Sequence, residues 1–284
     1  MARLKVTTLN LWGFRGDWPA RRDRLLLYLQ NEEIDVLLLQ EVEQRPWRMH
    51  QAEEIAYLTG YGMAYAPAHK FFPWPSVSNG LAILSRYPIS NQFVREVCPS
   101  TGMFAAGSGE RRVTHRVELG LDGLSVVVYN THFPLDPLAR KMAAHRLWDQ
   151  VVQEEAVLVI VGGDFNALPA EDSVAFLQGK VAMEGKRGGL VDAWHTAGVG
   201  PSETFPSTEP RARIDYLFYL AEPSVVVQEA RVVGRRPVEM SDHAAVMATF
   251  SISSASDRDL PLLDAPVETL EPTGGGTSGG LLGF

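Results

Sequence analysis

The sequence predicts an α/β sandwich in which sheet packs on sheet and helices lie outside. Three observations predict it: apolar runs of strand length dominate, amphipathic stretches of helical period come at intervals, and the runs end in polar, oxygen-bearing residues. Residues 4–9 read as a first strand ending at Asn10. Residues 18–30 read as a helix, because Leu25, Leu26 and Leu29 keep helical spacing, Asp17 stands at the N-cap and Pro19 is tolerated in the first turn. Its basic residues Arg21, Arg22 and Arg24 read as a solvated face. The helix leads into a strand at 34–39, closed by Gln40 and Glu41.

Further strand-like runs follow at 81–84, 113–119 and 126–129, the last leading to His132. A second amphipathic stretch, 138–155, carries Leu138, Met142, Leu147, Val151 and Val152 near one face. It feeds an apolar run at 156–161, directly followed by Gly162-Gly163-Asp164-Phe165-Asn166. Strands at 214–220 and 225–233, and the run after Asp242-His243, complete the body. Beyond Phe250 the composition turns to Ser, Pro, acid and Gly, which buries too little apolar surface to offset ordering entropy. Residues 1–253 are therefore expected to form one domain and 254–284 a flexible tail.

The 284 residues are 45% hydrophobic and 9% aromatic, the balance of a globular chain with a sizeable core. No apolar run reaches the ~18 residues that suggest a membrane span. The N-terminus passes straight into the first strand without the pattern of a secretory leader, and the single Cys98 forms no internal disulfide, so a cytoplasmic monomer is expected. The net charge is −8. The tail contributes five acids against Arg258, and the body holds 29 acids and 25 basic residues, so half of the excess lies in each. Nucleic-acid binders usually carry a basic surface, so tight nonspecific binding to long DNA is disfavoured.

Asp164 and Asn166 project from the end of a buried strand, and Asn10, Glu41, His132 and Asp242-His243 stand at other strand edges. Five such positions spread over the chain are hard to explain as unrelated turns. Mg²⁺ takes oxygen ligands, keeps several waters and favours one or two carboxylates plus substrate phosphate. The pattern points to a metal-assisted phosphoester hydrolase, with Mg²⁺ and alternatively Mn²⁺ as the cation.

These strings resemble the endonuclease/exonuclease/phosphatase superfamily of DNase I-like phosphoesterases. The resemblance lies in Thr8-Leu9-Asn10, Leu39-Gln40-Glu41, Gly80-Leu81-Ala82-Ile83-Leu84-Ser85-Arg86-Tyr87-Pro88-Ile89, Asn130-Thr131-His132, Gly163-Asp164-Phe165-Asn166, Arg213-Ile214-Asp215-Tyr216 and Ser241-Asp242-His243, over about residues 3–252. It implies a four-layer αββα sandwich. It also implies that Glu41 is the principal metal carboxylate, with Asn10 and Asp242 completing the shell. Asp164 and Asn166 would hold the nucleophilic water and a phosphate oxygen, and could share a second metal. His243 would contact the scissile phosphate while Asp215 fixes its tautomer.

The Thr-His at 131–132 resembles DNase I, the sphingomyelinases and the inositol-phosphate phosphatases more than the exonuclease III branch. His132 is expected to touch phosphate. DNase I supports its histidine with a glutamate, whereas the corresponding region here reads Met63-Ala64-Tyr65. Asn79 and Arg112 are candidate substrate-binding residues, with Arg111 open to a surface ion pair instead. The substrate class stays open between nucleic acid, a phospholipid or sugar-phosphate head group, and a small nucleotide. The segment Phe71-Phe72-Pro73-Trp74-Pro75 reads as ordinary loop packing, or as a membrane-interface loop. Two other readings are a nuclease acting on DNA or RNA and a non-catalytic binding module on the same fold. Truncation after Ser253 is expected to leave turnover of a soluble phosphoester intact, and a clear fall in turnover or melting temperature would show that the tail packs on the body.

Overall fold

The computed structural model describes residues 1–70, 78–99 and 110–253; the aromatic segment 71–75 and the tail 254–284 singled out above lie outside the described residues. In chain order the elements are β1 (Ala2–Asn10), α1 (Trp18–Glu32), β2 (Val36–Gln44), α2 (Gln51–Thr59), β3 (Gly62–Lys70), β4 (Ser78–Ser85) and β5 (Ile89–Cys98). They continue as β6 (Arg112–Leu121), β7 (Leu124–His132), α3 (Pro137–Val151), β8 (Leu158–Asp164), α4 (Asp172–Leu177) and β9 (Val191–Asp192). The last are α5 (Ala193–Ala197), β10 (Gly198–Val199), β11 (Asp215–Ala221), β12 (Val225–Val233) and β13 (Ala245–Ile252).

The strands form a seven-stranded sheet, ordered β10-β12-β13-β1-β2-β4-β3, and a six-stranded sheet, ordered β5-β6-β7-β8-β11-β9. Alternation along the strands divides the core into three slabs. Leu4, Val6, Val36, Leu38 and Ile83 of the first sheet meet Val117, Val128, Ile160 and Leu217 of the second. The intervening residues face outward: Leu37, Leu39 and Met247 are covered by Leu25, Leu29 and Ile55 of α1 and α2. Tyr129, Val159, Val161 and Phe218 are covered by Leu147, Val151, Val174 and Phe176 of α3 and α4. The expected four-layer αββα sandwich is therefore the fold. Each fully buried Leu, Ile, Val or Phe contributes roughly 1.5–3 kcal/mol of transfer free energy, which is why central strands read as continuous apolar runs.

Helix α1 starts as the sequence predicts, with the Asp17 carboxylate accepting from the Ala20 N–H at 3.2 Å and Pro19 in the first turn. Its basic residues do not all form a solvated face. Trp18, Arg21, Leu25 and Leu29 share one stripe at i, i+3, i+7 and i+11, and all four are buried. The Arg21 guanidinium donates to the carbonyls of Leu11, Gly13, Arg15 and Met240 and lies 5.4 Å from both the Trp12 and Trp18 rings. A residue taken for a surface cation thus ties the chain just after Asn10 to the chain just before Asp242.

Four strands are absent from the sequence reading: β3 and β5, one at an edge of each sheet, and the two-residue β10 and β9 at the opposite edges. Strand β3 is rich in small residues and contains Pro67, and most of β5 is exposed, so neither shows a buried-strand pattern. At the tip of β8 two glycines are sterically required. A Cβ on Gly162 would run into the Leu38 side chain of the opposite sheet, and one on Gly163, at φ 154°, would collide with the Thr131 carbonyl. Close packing of the opposite sheet thus disfavours a side chain at Gly162, and the backbone of neighbouring β7 in the same sheet excludes one at Gly163.

His50, which caps α2, and His115, which points between the sheets from β6, are both buried. Burial pushes each imidazole down to about 4. The folded protein keeps them neutral, whereas the unfolded chain takes up protons below its ordinary value of about 6.5. Their contribution is complete above about pH 6.5 and is lost as pH falls toward 4, at up to about 1.4 kcal/mol per pH unit for each histidine. Melting temperature should fall through this window, and more shallowly for His115→Gln; identical acid slopes for the two proteins would refute this origin.

Candidate active site

Register and side-chain parity build the site. On β7, Val126 and Val128 face the inter-sheet core, so Asn130 and His132 do as well. By the same alternation Asp164 follows Leu158 and Ile160 on β8, Asp215 precedes Leu217 on β11, and Asn10 follows Leu4 and Val6 on β1. His132 pairs with Asp164 across parallel β7 and β8, and Asp164 pairs with Asp215 across antiparallel β8 and β11. Three chemically active side chains therefore stand in one row. Asn10 pairs with Gln40 at the corresponding end of the first sheet.

Glu41 reaches the cleft by a different device. Leu37 and Leu39 face the helices, so strict alternation would send Glu41 outward too. Instead the β2–β4 register shifts between Leu39 and Val42, and Glu41 adopts φ 51°. Such a bulge re-aims a side chain, and the left-handed backbone costs about 1–3 kcal/mol that the surrounding structure must offset. Asn166 takes the same region at φ 49°.

Hydrogen bonds join the two sheets through these groups. The Asn10 amide donates to Asp164 Oδ2 at 2.9 Å and to Glu41 Oε1 at 3.3 Å. The Asn166 N–H donates to Asp164 Oδ1 at 2.9 Å, and its amide donates to the Phe133 carbonyl and lies 3.1 Å from His132 Nε2. His243 Nδ1 is 2.9 Å from Asp215 Oδ2, its Nε2 is 3.9 Å from Asp164 Oδ2, and its ring packs on Phe205. Beneath the row, Gln40 Nε2 donates to Asn130 Oδ1 at 2.7 Å and to Thr8 Oγ1 at 3.0 Å. Asn130 in turn donates to the carbonyls of Leu39 and Ala82.

The electrostatics follow from burial and these neighbours. Burial, then the Asp215 charge, raises the Asp164 carboxyl well above the usual carboxylate range. For His243, burial opposes protonation but Asp215, Asp164 and Asp242 outweigh it and hold the imidazole well above its ordinary value. Burial, then Arg112 and His243, drives His132 far below it. Burial also raises Asp242, with His243 opposing and Glu41 adding to the shift. The cleft thus holds one charged and one neutral imidazole.

Asn10, Glu41, Asp164, Asp215, His243, His132 and Asn166 are brought into one connected cluster, with Asp242 beside His243. Asn79 begins the inward-facing series Asn79, Leu81, Ile83 on β4 and sits opposite Glu43. Arg112 is buried, with Nη1 3.0 Å from His132 Nδ1 and Nη2 2.8 Å from Glu110. A guanidinium therefore occupies the flank of His132 where a glutamate was sought. Arg111 pairs with Glu96 at the surface. Sequence reasoning assigned no role to Arg15, whose Nη1 is 3.0 Å from Glu41 Oε2, nor to Gln40 and Asn130 as the bridge between sheets. The inward parity of residues 40 and 130 was the available signal; Arg15 lies in a loop and gave none.

The donor set suits a hard cation. Glu41, Asp164 and Asp242 offer carboxylate oxygen, the Asn10 oxygen accepts from the Trp12 N–H at 3.0 Å, and Asp164, Asp215 and His243 have ligand atoms within 4.8 Å of one another. Buried Asp215 Oδ1 lacks a hydrogen-bond partner among the described residues.

Residues 7–243 match the Endonuclease/Exonuclease/phosphatase family. No curated protein matches the sequence significantly. An endonuclease/exonuclease/phosphatase from Bacteroides vulgatus is similar in structure at TM-score 0.73 and 19% identity, covering 89% of this chain and 100% of that one. Truncated Caenorhabditis elegans TDP2 is similar at TM-score 0.64 and 24% identity, covering 88% and 98%. A Bacteroides thetaiotaomicron mannosyl-6-phosphatase is similar at TM-score 0.68 and 18% identity, covering 88% and 100%. At these identities the structural likenesses carry the fold and not the substrate. The sequence match spans most of the chain and ends at His243, the last member of the cluster; the chain belongs to the Endonuclease/Exonuclease/phosphatase family.

Proposed function

We propose that the chain is a Mg²⁺-dependent phosphoester hydrolase acting on a compact substrate. The observation that carries this reading is the meeting of Asn10 and Glu41 from one sheet with the His132, Asp164 and Asp215 row of the other. Glu41, Asn10 and Asp242 would hold the cation, with Asp164 and Asn166 near enough to share it or a second one. The cation, when bound, supplies charge neutralisation on the phosphate oxygens and acidifies water.

Asp164 orients the attacking water. Its two oxygens are fixed by the Asn10 amide and the Asn166 N–H, so the carboxylate is held in place before substrate arrives. His243 is protonated, is oriented by Asp215, and presents positive charge to the phosphate and a proton toward the leaving oxygen. His132 accepts from Arg112 at Nδ1, which leaves the hydrogen on Nε2, 3.4 Å from Asp164 Oδ2, where an entering phosphate oxygen would compete with the carboxylate for it. A neutral imidazole with a depressed pKa is a poor general acid, so His132 is assigned to phosphate contact.

Substrate size is argued from charge. The net charge is −8, and two arginines at the start of β6 are already committed: Arg112 to Glu110 and Arg111 to Glu96. Few remain to neutralise a long phosphate backbone. The name of the mannosyl-6-phosphatase neighbour places a sugar-phosphate ester in the test panel.

Mg²⁺ should support hydrolysis of bis-p-nitrophenyl phosphate and EDTA should abolish it; activity that survives EDTA would rule out the metal-dependent reading. Asp164→Asn and His243→Ala should each lower kcat by at least ~10², the scale of a lost oriented water or charge-stabilising donor. Near-native turnover by either variant, shown folded by circular dichroism, would remove that residue from the mechanism. Glu41→Gln should weaken Mn²⁺ binding by calorimetry more than it lowers melting temperature, whereas unchanged affinity would take Glu41 out of the metal site. At about 0.15 M salt, kcat/KM on duplex DNA should fall below that on the best compact phosphoester; salt-tolerant duplex cleavage exceeding every compact substrate would make the protein a nuclease.

A further inference from the structure

Between Asn10 and α1 the chain turns at the edge of the cleft, and its backbone there is held by three neighbouring elements. The Arg21 guanidinium takes the carbonyls of Leu11, Gly13 and Arg15, the Gln51 amide donates to the Gly13 carbonyl at 2.8 Å, and the Phe14 N–H donates to Glu43 at 3.1 Å. Trp12 holds the left-handed region at φ 61° while its N–H donates to Asn10 Oδ1 at 3.0 Å. The stem of Arg15 therefore starts from a fixed point beside the cleft.

The Arg15 side chain is held far less firmly. It is 60% exposed, and among the described residues its guanidinium has one polar partner, Glu41 Oε2 at 3.0 Å. An exposed pair of this kind contributes little and is readily exchanged. Other arginines at this end of the sheets are already paired: Arg112 lies buried against Glu110 and His132, Arg111 against Glu96 and Arg45 against Glu43. Glu41 completes the argument. Its Oε1 accepts from the Asn10 amide, so Oε2 is the oxygen that Arg15 and a cation would both seek. Two positive charges on one carboxylate oxygen repel each other, so the stronger displaces the weaker. A guanidinium driven off Glu41 stays within reach of its own stem, and its planar fork suits two phosphate oxygens.

We propose that Arg15 is a substrate-binding residue handed from Glu41 to the phosphate when a cation takes the carboxylate. The proposal rests on the metal-dependent reading above and adds a residue to it. His132 and His243 are buried in the floor of the cleft, whereas Arg15 approaches from the solvent side. Its contact would therefore add to theirs. Because the guanidinium serves either the carboxylate or the phosphate, the binding of cation and phosphate is coupled through it, and by linkage each strengthens the hold on the other. Arg15 would then favour phosphate in a cleft that already carries its cation.

The test is calorimetric and needs no turnover, and the exposed position of Arg15 keeps folding out of question. Arg15→Gln should bind Mn²⁺ about two- to fivefold more tightly than the wild type, the scale of one exposed competing ion pair. With saturating Mg²⁺ the same variant should bind inorganic phosphate about tenfold more weakly, the scale of a lost charge-assisted hydrogen bond. With EDTA in place of Mg²⁺ the two proteins should differ less than about twofold toward phosphate, because Arg15 then stays on Glu41. Arg24→Gln removes the same charge from an exposed position on α1, where Arg24 donates to the Glu239 carbonyl, and should leave all three titrations unchanged. Matching shifts in Arg24→Gln would reduce the effect to bulk charge and overturn the proposal. So would Mn²⁺ affinity that is unchanged or weaker in Arg15→Gln, phosphate affinity in Mg²⁺ that is unchanged, or a phosphate loss as large in EDTA as in Mg²⁺. A wild type that binds no Mn²⁺ would sink the metal-dependent reading and the handover with it, whereas one that binds Mn²⁺ no differently from Arg15→Gln would sink the handover alone.

Discussion

Two carboxylates, Asp164 and Asp215, are buried at the same level of neighbouring strands, and the cleft is arranged around the cost of keeping them there. Desolvating a carboxylate costs several kcal/mol unless charge and hydrogen bonds compensate, and two such groups side by side raise that cost. The compensation comes from every direction. His243 lies between them, the Asn10 amide reaches Asp164 from the other sheet, and the Asn166 N–H closes the remaining oxygen. Removing any of these donors leaves a buried charge short of a partner, so the same contacts that orient the groups also restrict what the site tolerates.

That arrangement requires the two sheets to approach closely at one end, and the chain accepts local strain to allow it. Gly162 clears the space, while Glu41 and Asn166 adopt left-handed backbone to aim their side chains. Gln40 and Asn130 then bridge the sheets with well-formed hydrogen bonds directly below the charged row. Arg21 does the corresponding task at the rim, gathering four carbonyls from either side of the site. Strain at the functional residues is thus offset by buried polar contacts one step away.

How much of this was legible in the sequence follows from the physics of each part. The central strands and both long helices were readable because burial on both faces writes an apolar run and burial on one face writes a helical stripe. Strands β3 and β5 were not, because edge strands carry small or exposed residues and their pairing is fixed by neighbours distant in sequence. Asn10, Glu41, His132, Asp164, Asp215 and His243 stood out as polar residues at strand ends, and alternation explains why most of them converge. Glu41 is the instructive case, since its motif pointed to the cleft while its parity pointed away, and only the bulge reconciles the two. Arg21 was misread because a basic side chain on a helix normally faces water; its place in the buried stripe was visible in the spacing, but the carbonyls it satisfies come from loops.

The charges also favour a cation in this cleft. Asp242 lies close enough to Glu41 to be shifted by it, and Arg15 is the guanidinium paired with Glu41. That arginine is largely exposed, so its attraction is screened and its pairing is readily exchanged for a stronger one. A divalent ion at Glu41 and Asn10 would relieve the repulsion that Arg15 only partly offsets, and would free its guanidinium toward the entering phosphate. The acidic character that disfavours a long polyanion is therefore the same property that would recruit a metal. A phosphoester small enough to be neutralised by that metal, His243 and a few arginines needs no extended basic surface.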